Sequence, residues 1–275
     1  MLSDRIAVAI PLIPLAGWII WLGGWVYALV VAIVLVVAGR EFVRIFRAGG
    51  HRPALLLVMV GAPLLALARF FRPADLSLVF AGLIAAALVW HLADFENGAP
   101  ASGTDFVITL GGIFYLGWMG SYFTMLRVLP DGLWWTAVLM GAIWLADSAA
   151  YLVGRAFGRN LLAPRLSPRK TWEGFFSGVA SGAIGSAVLA LLWRLGAGPE
   201  SLVDWHTAGL LGALTGLVGP IGDLGISMLK REGGVKDSGA VIVGHGGALD
   251  RIDSWLIAIP VGYYAVLLLQ SLSQR

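Results

Sequence analysis

Cysteine is absent from this 275-residue chain, and charged residues make up only 13% of it. Without cysteine there is no disulfide framework, no thiolate metal site and no cysteine nucleophile. The charged fraction is about half of the roughly 25% that is typical of soluble domains. The net charge of +3 is too small to indicate nucleic acid binding, and we find no internal repeat, low-complexity tract or soluble domain. With 59% hydrophobic residues and twelve Trp, the composition indicates a membrane protein.

Long apolar runs cover most of the chain. A helix that crosses a bilayer needs about 20 largely apolar residues, and nine runs approach that length: 6–22, 24–39, 53–70, 75–93, 104–126, 132–154, 174–196, 207–229 and 253–271. We therefore predict an all-α, polytopic integral membrane protein with about nine transmembrane helices. We expect residues 1–130 to form an N-terminal bundle and residues 131–275 a C-terminal catalytic region of one integral unit.

The first apolar run has two features of interest. We expect it to be a retained span and not a cleaved signal peptide, because we find no convincing small-x-small cleavage site and a second run follows at once. Only Gly23 and Gly24 separate these two runs. They form either a tight hairpin or one broken element.

Basic residues are unevenly distributed between the two ends of these spans. Nine spans place fourteen Lys and Arg on one side: Arg5, Arg40, Arg44, Arg47, Arg52, Arg155, Arg159, Arg165, Arg169, Lys170, Lys230, Arg231, Lys236 and Arg251. The five on the other side are Arg69, Arg72, Arg127, Arg194 and Arg275. The positive-inside rule assigns the larger set to the cytoplasm, with the N-terminus inside and the C-terminus outside. The polar connections 155–173 and 230–252 are separated by two spans, so they share the cytoplasmic face.

Asp147 and Asp223 fall well inside predicted spans, away from their ends. A charged side chain there costs a few kcal/mol and therefore indicates a function, although a neighbouring Arg or hydroxyl could also satisfy a purely structural acid. Glycines at spacings of three or four surround Asp223: Gly209, Gly212, Gly216, Gly219, Gly222 and Gly225. Such small residues allow another backbone to approach closely. We expect Pro220 to break this helix beside Asp223, which would open a polar cavity toward the cytoplasm.

Ionisable and hydroxyl residues are concentrated after Asp223. They are Ser227, Lys230, Arg231, Lys236, Asp237, His245, Asp250, Arg251 and Asp253, interrupted by Gly246 and Gly247. Carboxylates favour a hard cation such as Mg²⁺, the cationic side chains favour phosphate, and glycines let backbone N–H groups approach an anion. Lys170, Thr171 and Glu173 form a second polar group on the same predicted face. The mixture predicts a cytoplasm-facing site for phosphate and metal.

The motif S-M-L-K-R, K-D-S-G and H-G-G-A-L-D-R-I-D over residues 227–253 closely resembles the C-terminal motif of phosphatidate cytidylyltransferases. It covers about a tenth of the chain, and residues 146–159 and 166–174 also look like the family. Family members often have Thr-Gly where this chain has Ser148 and Ala149, and Pro where it has Val243. The amino-terminal half matches only in being a polytopic membrane segment.

The resemblance implies that CTP and phosphatidate react to give CDP-diacylglycerol and pyrophosphate, with Mg²⁺ or Mn²⁺ and with a second cation, monovalent or divalent. It implies a homodimer in the bacterial inner (plasma) membrane, surrounded by membrane lipids. By the same resemblance, Asp223 and Asp250 carry the metal centre. Asp253, Asp237 and Asp147 are further candidate ligands.

The remaining motif residues are expected to act on substrate. The group assigned to catalysis is Lys230, Lys236, His245 and Arg251, and the group assigned to the phosphates of CTP or lipid is Lys170, Thr171, Ser227, Arg231, Gly246 and Gly247. His245 is expected either to orient a phosphate or to protonate the leaving group. Two other functions stay open: a CTP-dependent transferase acting on another lipid, such as a polyprenol kinase or an archaeal-lipid cytidylyltransferase, and a secondary transporter that uses Asp147 and Asp223.

Overall fold

The computed structural model describes residues 14–72, 75–198, 201–239 and 246–273. Helical residues 14–22 come first, and the part of the first predicted run before residue 14 lies outside the described residues. The helices that follow are α1 (Gly24–Ala48), α2 (Leu55–Phe71), α3 (Ser77–Glu96), α4 (Ser102–Arg127), α5 (Gly132–Phe157), α6 (Trp172–Ala197), α7 (Trp205–Glu232) and α8 (Leu249–Ser273). Strands β1 (Leu161–Ala163) and β2 (Ser167–Thr171) form an antiparallel hairpin between α5 and α6.

Seven of these helices are long and apolar enough to cross a membrane, within the part of the chain that the structure describes. The exception is α2, which has 17 residues. The prediction of an all-helical, multi-pass membrane protein is confirmed, whereas the count of nine spans is not. The helices also extend beyond their apolar runs, and α1 continues nine residues past its predicted end at residue 39, because Arg40–Ala48 stay helical.

Two predicted interruptions have different outcomes. The backbone leaves the helix at Gly23, where Gly23 and Gly24 have φ values of 61° and 52°, a region that glycine adopts without steric cost. By contrast, α7 runs without interruption through Pro220, so the predicted break there is not confirmed. Proline removes one donor of the helical ladder, but the turns on both sides of Pro220 stay helical.

The described residues form two compact units. The first contains 14–72, 75–124, 228–239 and 246–252, and the second contains 125–198, 201–227 and 253–273. The first unit thus combines α1, α2, α3 and most of α4 with the end of α7 and the first residues of α8. The division predicted at residue 130 stays a prediction, and within the first unit residues 228–239 and 246–252 of the C-terminal motif pack with the N-terminal helices.

Close helix packing in the first unit depends on glycines of α4. A Cβ added at Gly117 would lie 2.6 Å from the Ala62 carbonyl oxygen of α2, and one at Gly120 would lie 2.6 Å from Leu35 of α1. Leu35 is itself buried. The absence of a side chain at these positions lets α1 and α2 pack directly against the backbone of α4.

The second unit uses the glycine stripe that was predicted on α7. Gly212 packs against the backbone of Gly182 on α6, and a Cβ added at Gly216 would lie 3.0 Å from the Val179 Cα. Gly178 of α6 similarly faces the Ala146 carbonyl oxygen of α5, at 3.0 Å from an added Cβ. The stripe therefore brings α5, α6 and α7 into close contact, as the spacing predicted.

Candidate active site

Four groups of the C-terminal motif converge on the carboxylate of Asp250 in the first unit. Lys230 donates from Nζ to Oδ1 at 2.6 Å. Ser238 donates to Oδ2 from its backbone N–H at 3.0 Å and stands 2.9 Å away with its hydroxyl, and the Gly247 N–H lies 3.4 Å from the same oxygen. The Lys230 and Asp250 side chains are only 13% and 14% exposed. Residues up to twenty positions apart therefore share one partly buried site.

The end of α7 explains how these segments meet. After Glu232 the chain turns through Gly233 and Gly234, the latter with a φ of 69°, and the Val235 N–H bonds back to the Lys230 carbonyl at 2.9 Å. Gly233 packs against the carbonyl of Ile45 on α1, where a side chain would not fit. This glycine-dependent helix end directs residues 236–239 toward the start of α8.

Glu41 of α1 belongs to the same network, and the sequence reasoning missed it. Its side chain is 3% exposed. Oε1 accepts from the Ala248 N–H at 3.0 Å, and Oε2 accepts from the Leu249 N–H at 2.8 Å. The Ser238 hydroxyl lies 3.0 Å from Oε2. Glu41 thus satisfies backbone donors at the start of α8, which no carbonyl of that helix can reach.

Glu41 stands among Arg40, Arg44 and Arg47, which the charge distribution assigns to the cytoplasmic side, and for this reason it was not predicted to be buried. A usable signal was present, however. Glu41 immediately precedes Phe42 and Val43, and it stands three residues after Ala38 and four before Ile45, all of which are buried. An acid on the apolar side of a membrane helix indicates a buried partner.

Four further predicted residues of this unit carry charged side chains. Arg231, Lys236, Asp237 and Arg251 are exposed, a position suited to charged side chains that meet a soluble nucleotide. Gly246 has a φ of 79°, which favours glycine. His245 lies outside the described residues, so its predicted role stays a prediction.

A second cluster lies in the second unit, around Asp223 of α7. Lys170 Nζ pairs with Asp223 Oδ2 at 2.5 Å, and the Ser227 hydroxyl donates to Oδ1 at 3.3 Å. Asp147 of α5 is near enough to interact electrostatically with both Asp223 and Lys170. Two acidic residues on separate helices and one lysine of the β-hairpin therefore interact with one another.

The β-hairpin positions Lys170. Thr171, the next residue, is buried and acts as the N-cap of α6, where its hydroxyl accepts from the Gly174 N–H at 3.2 Å. Glu173 accepts from the Asn160 side chain at 2.7 Å, which ties the start of α6 to the start of the hairpin. Thr171 and Glu173 thus fix the β-hairpin against the start of α6. The expected contact of Thr171 with substrate stays a prediction.

A narrow cavity of about 20 Å³, room for about one water molecule, opens beside Asp147. It is lined by α5, α6 and α7 through Ile143, Ala146, Asp147, Ala150, Phe175, Gly178, Thr215, Gly216, Gly219 and Pro220. Most of the residues that line the cavity are apolar, and Asp147 supplies its ionisable group. The cavity reaches Pro220 although the helix there is continuous.

Asp253 is buried in the second unit. Its Oδ1 accepts from the Ser254 N–H at 2.7 Å, and its backbone carbonyl packs against Gly222 of α7. These contacts fit a structural carboxylate at the start of α8. Its predicted role as a metal ligand is not tested by them.

The donor set around Asp223 is chemically suited to a hard divalent cation. Mg²⁺ is usually held by one or two carboxylates and completes its shell with water and substrate phosphate, and Asp147 and Asp223 supply such a pair. Among the described residues no group of three or more acidic or histidine side chains is close enough to hold a metal by itself. The site therefore fits a cation that takes part of its ligands from the substrate.

Comparison with known proteins identifies the family of the chain. Residues 3–269 match the model of the cytidylyltransferase family. The chain is 35% identical to the phosphatidate cytidylyltransferase of Synechocystis sp., over 98% of both chains. It is 30% identical to the enzyme of that name from Mycobacterium bovis, over 89% of this chain and 81% of the relative. A shorter match to the Haemophilus influenzae protein reaches 46% identity over 44% of this chain and 42% of the relative. The chain therefore belongs to the cytidylyltransferase family.

Proposed function

We propose that this protein transfers CMP from CTP to phosphatidate, which yields CDP-diacylglycerol and pyrophosphate for phospholipid biosynthesis. The observation that carries the proposal is the convergence of Lys230, Ser238 and Gly247 on the Asp250 carboxylate. These residues belong to the motif that resembles phosphatidate cytidylyltransferases, and the relatives above carry that name. We place the reaction at the cytoplasmic face of a bacterial inner membrane, in a homodimer with its N-terminus inside.

The chemistry is a phosphoryl-type substitution. A phosphate oxygen of phosphatidate forms a bond to the α-phosphorus of CTP, and the bond from that phosphorus to the bridging oxygen of pyrophosphate breaks. The nucleophile is already anionic near neutral pH, so positioning and charge neutralisation dominate catalysis. No strong protein base is needed.

The basic residues of the motif supply charge neutralisation in this proposal. Arg231, Lys236 and Arg251 are exposed and can meet the phosphates of CTP or of the lipid. Lys230 is held by Asp250, so its ammonium group is pre-positioned before substrate arrives. Pre-positioned charge costs no reorganisation when the transition state forms.

The acidic residues are proposed to hold Mg²⁺ or Mn²⁺. Asp223 and Asp147 of the second unit interact electrostatically and are proposed as ligands, and Asp250 of the first unit is a further ligand proposed from the motif. A divalent cation held by Asp223 and Asp147 would supply Lewis-acid neutralisation of the phosphate charge. Lys170, which pairs with Asp223, is proposed to exchange that contact for a substrate phosphate. A second cation, monovalent or divalent, is also part of the proposal. His245 is proposed to orient a phosphate or to protonate the leaving group, and Asp237 and Asp253 are proposed as further metal ligands.

The test is pyrophosphate release by the detergent-purified protein with CTP, phosphatidate and Mg²⁺, omitting each in turn. We expect release only when all three are present. Release of CDP with a polyprenol, but no pyrophosphate with phosphatidate, would instead assign a kinase-type reaction on another lipid. Substrate flux in proteoliposomes without consumption of CTP would assign a transporter and overturn the proposal.

A further inference from the structure

We infer that Glu41 is a positioning residue that holds the Asp250 site in its productive geometry. The inference rests on the proposed function for its catalytic consequence, but its geometric part stands on the first unit alone. The hydrogen bonds of Glu41 are with Ser238, Ala248 and Leu249 and not with Lys230 or Asp250. Glu41 therefore acts through the segments that carry Lys230 and Asp250.

Three donors meet the Glu41 carboxylate. They come from two segments: the Ser238 hydroxyl from the turn after α7, and the N–H groups of Ala248 and Leu249 from the start of α8. Ser238 in turn binds Asp250 through its backbone N–H. One buried carboxylate therefore fixes the distance between the two segments whose side chains form the Lys230–Asp250 pair.

The packing around the end of the Glu41 side chain leaves room for a carboxylate and for no larger group. A Cβ at Gly239 or Gly247 would collide with the Glu41 carboxylate. The two glycines thus leave a space that the carboxylate occupies. Leu249, whose N–H donates to Glu41, is fully buried. If the Glu41 carboxylate is removed, water cannot reach this N–H unless the surrounding side chains rearrange.

The chemistry of the contacts identifies the informative substitution. The N–H groups of Ala248 and Leu249 can only donate, whereas the Ser238 hydroxyl has one proton and lies near both Glu41 and Asp250. An ionised carboxylate only accepts. Glu41→Gln keeps the size of the side chain but turns one of the two terminal groups into a donor, which then faces another donor. Glu41→Asp keeps the charge but shortens the side chain by one methylene, which weakens all three bonds while leaving their polarity correct.

A matched control is available in the same unit. Asp105 of α4 is also 3% exposed and also accepts a backbone N–H, from Arg52 at 2.9 Å. Its contacts involve the connection between α1 and α2 and not the motif. Asp105→Asn therefore removes a buried acid from the first unit without touching the Asp250 network.

The experiment combines kinetics with hydrogen exchange on the detergent-purified full chain. We expect Glu41→Gln to lower kcat/KM for CTP at least about tenfold, an effect comparable to losing a residue that orients a ligand, and to accelerate amide exchange in peptides that cover residues 246–252. Glu41→Asp should recover part of both effects. Asp105→Asn should lower the melting temperature without accelerating exchange in those peptides or changing KM for CTP.

Each outcome decides the inference. If Glu41→Gln leaves exchange at 246–252 and the kinetic constants unchanged, the positioning role is wrong. If Asp105→Asn reproduces the same kinetic and exchange changes, Glu41 contributes only general stability, and the role is also wrong. If the parent protein releases no pyrophosphate, the proposed function fails, while the exchange measurement still decides whether Glu41 holds the two segments.

Discussion

Lys170 and Asp223 form an ion pair of 2.5 Å, although they are 53 residues apart and lie on different elements, a short β-hairpin and a glycine-rich helix. The side chains are 24% and 35% exposed, so both remain accessible. The Asp147 carboxylate interacts with the same pair. An acid held next to a lysine and a second acid has the charges needed to exchange partners when a phosphate and a cation arrive.

We predict that Asp223→Asn lowers pyrophosphate release by at least about 100-fold, the scale on which a single charge-stabilising group acts, while the fold and the proposed dimer are retained. The change removes the negative charge that Lys170 and a divalent cation require. Steady-state assays at saturating Mg²⁺ and size-exclusion chromatography check it. Asp131→Asn, a carboxylate of the same unit that accepts from the Ser201 hydroxyl at 2.8 Å, is the control and should keep normal turnover. Near-normal turnover of Asp223→Asn would remove Asp223 from the proposed metal site.

We predict that Lys230 and Asp250 are energetically coupled. Single substitutions Lys230→Met and Asp250→Asn each leave a partly buried group without its partner at 2.6 Å. The double variant should therefore be more stable than the sum of the two single losses predicts, with a coupling of roughly 1–3 kcal/mol. Chemical denaturation of the four proteins in detergent measures it. Strictly additive losses would show that the pair contributes nothing to stability. All three variants should be inactive, since the proposed function needs both groups.

We predict that Gly212→Ala destabilises the second unit by about 1–3 kcal/mol, the usual cost of overpacking. The added methyl group would collide with the Gly182 carbonyl, and neither helix backbone can move away without disturbing its neighbours. Gly225→Ala on the same helix is the control, since nothing lies within 4 Å of a Cβ there. It should be neutral or stabilising by up to about 1 kcal/mol, because alanine favours a helix over glycine. Thermal unfolding of both variants compares them, and equal destabilisation would contradict the packing role.

We predict a pH-dependent contribution from Asp204, which precedes α7. Partial burial raises the pKa of this carboxyl, but hydrogen bonds from Thr207 and His206 lower it by more, so its pKa lies below the ordinary value. Oδ1 accepts from the N–H groups of His206 and Thr207, each at 2.9 Å. The Asp204 N–H in turn donates to the Thr207 hydroxyl at 3.1 Å, in a reciprocal helix cap.

A lowered folded-state pKa means that the stabilising effect of Asp204 is complete above its ordinary pKa and is lost as pH falls through the folded-state value. Asp204→Ala should therefore cost about 1 kcal/mol at neutral pH, as the loss of an N-cap does. The difference from the parent should shrink below about pH 4, the ordinary range of an aspartate. Melting temperatures measured between pH 3 and pH 7 check this. A difference that is constant over that range would show that the ionised carboxylate is not what stabilises the helix.

We predict that removal of divalent cations with a chelator abolishes pyrophosphate release, and that Mg²⁺ or Mn²⁺ restores it. Asp147 and Asp223 are the proposed ligands, and carboxylate oxygens are the type of ligand that these ions prefer. The measurement is a titration of activity with each metal. Asp147→Asn should raise the Mg²⁺ concentration needed for half-maximal activity about 10–100-fold, and an unchanged requirement would exclude Asp147 from the site.

The membrane class, the positions of the helices from residue 24 onward and the packing role of the glycines followed from the sequence alone. These features depend on composition and on the spacing of residues within one helix. Both can be obtained from residues that are close together in the sequence. The motif over residues 227–253 likewise indicated its chemistry, because many residues at fixed short spacings identify a family. What local spacing could not show is that α7 stays helical through Pro220, since the turns that compensate for the missing donor depend on packing.

Only the tertiary structure decided which distant residues meet. Glu41 binds Leu249 across 208 positions, and Lys170 reaches Asp223 from a hairpin that the apolar pattern did not reveal. Pairing of this kind depends on how helices pack, which is decided by the whole set of buried surfaces and not by any one segment. Composition and spacing therefore determined that the chain is a membrane protein and predicted a site for phosphate and metal, whereas packing placed the buried Glu41 of α1 against two segments of that candidate site.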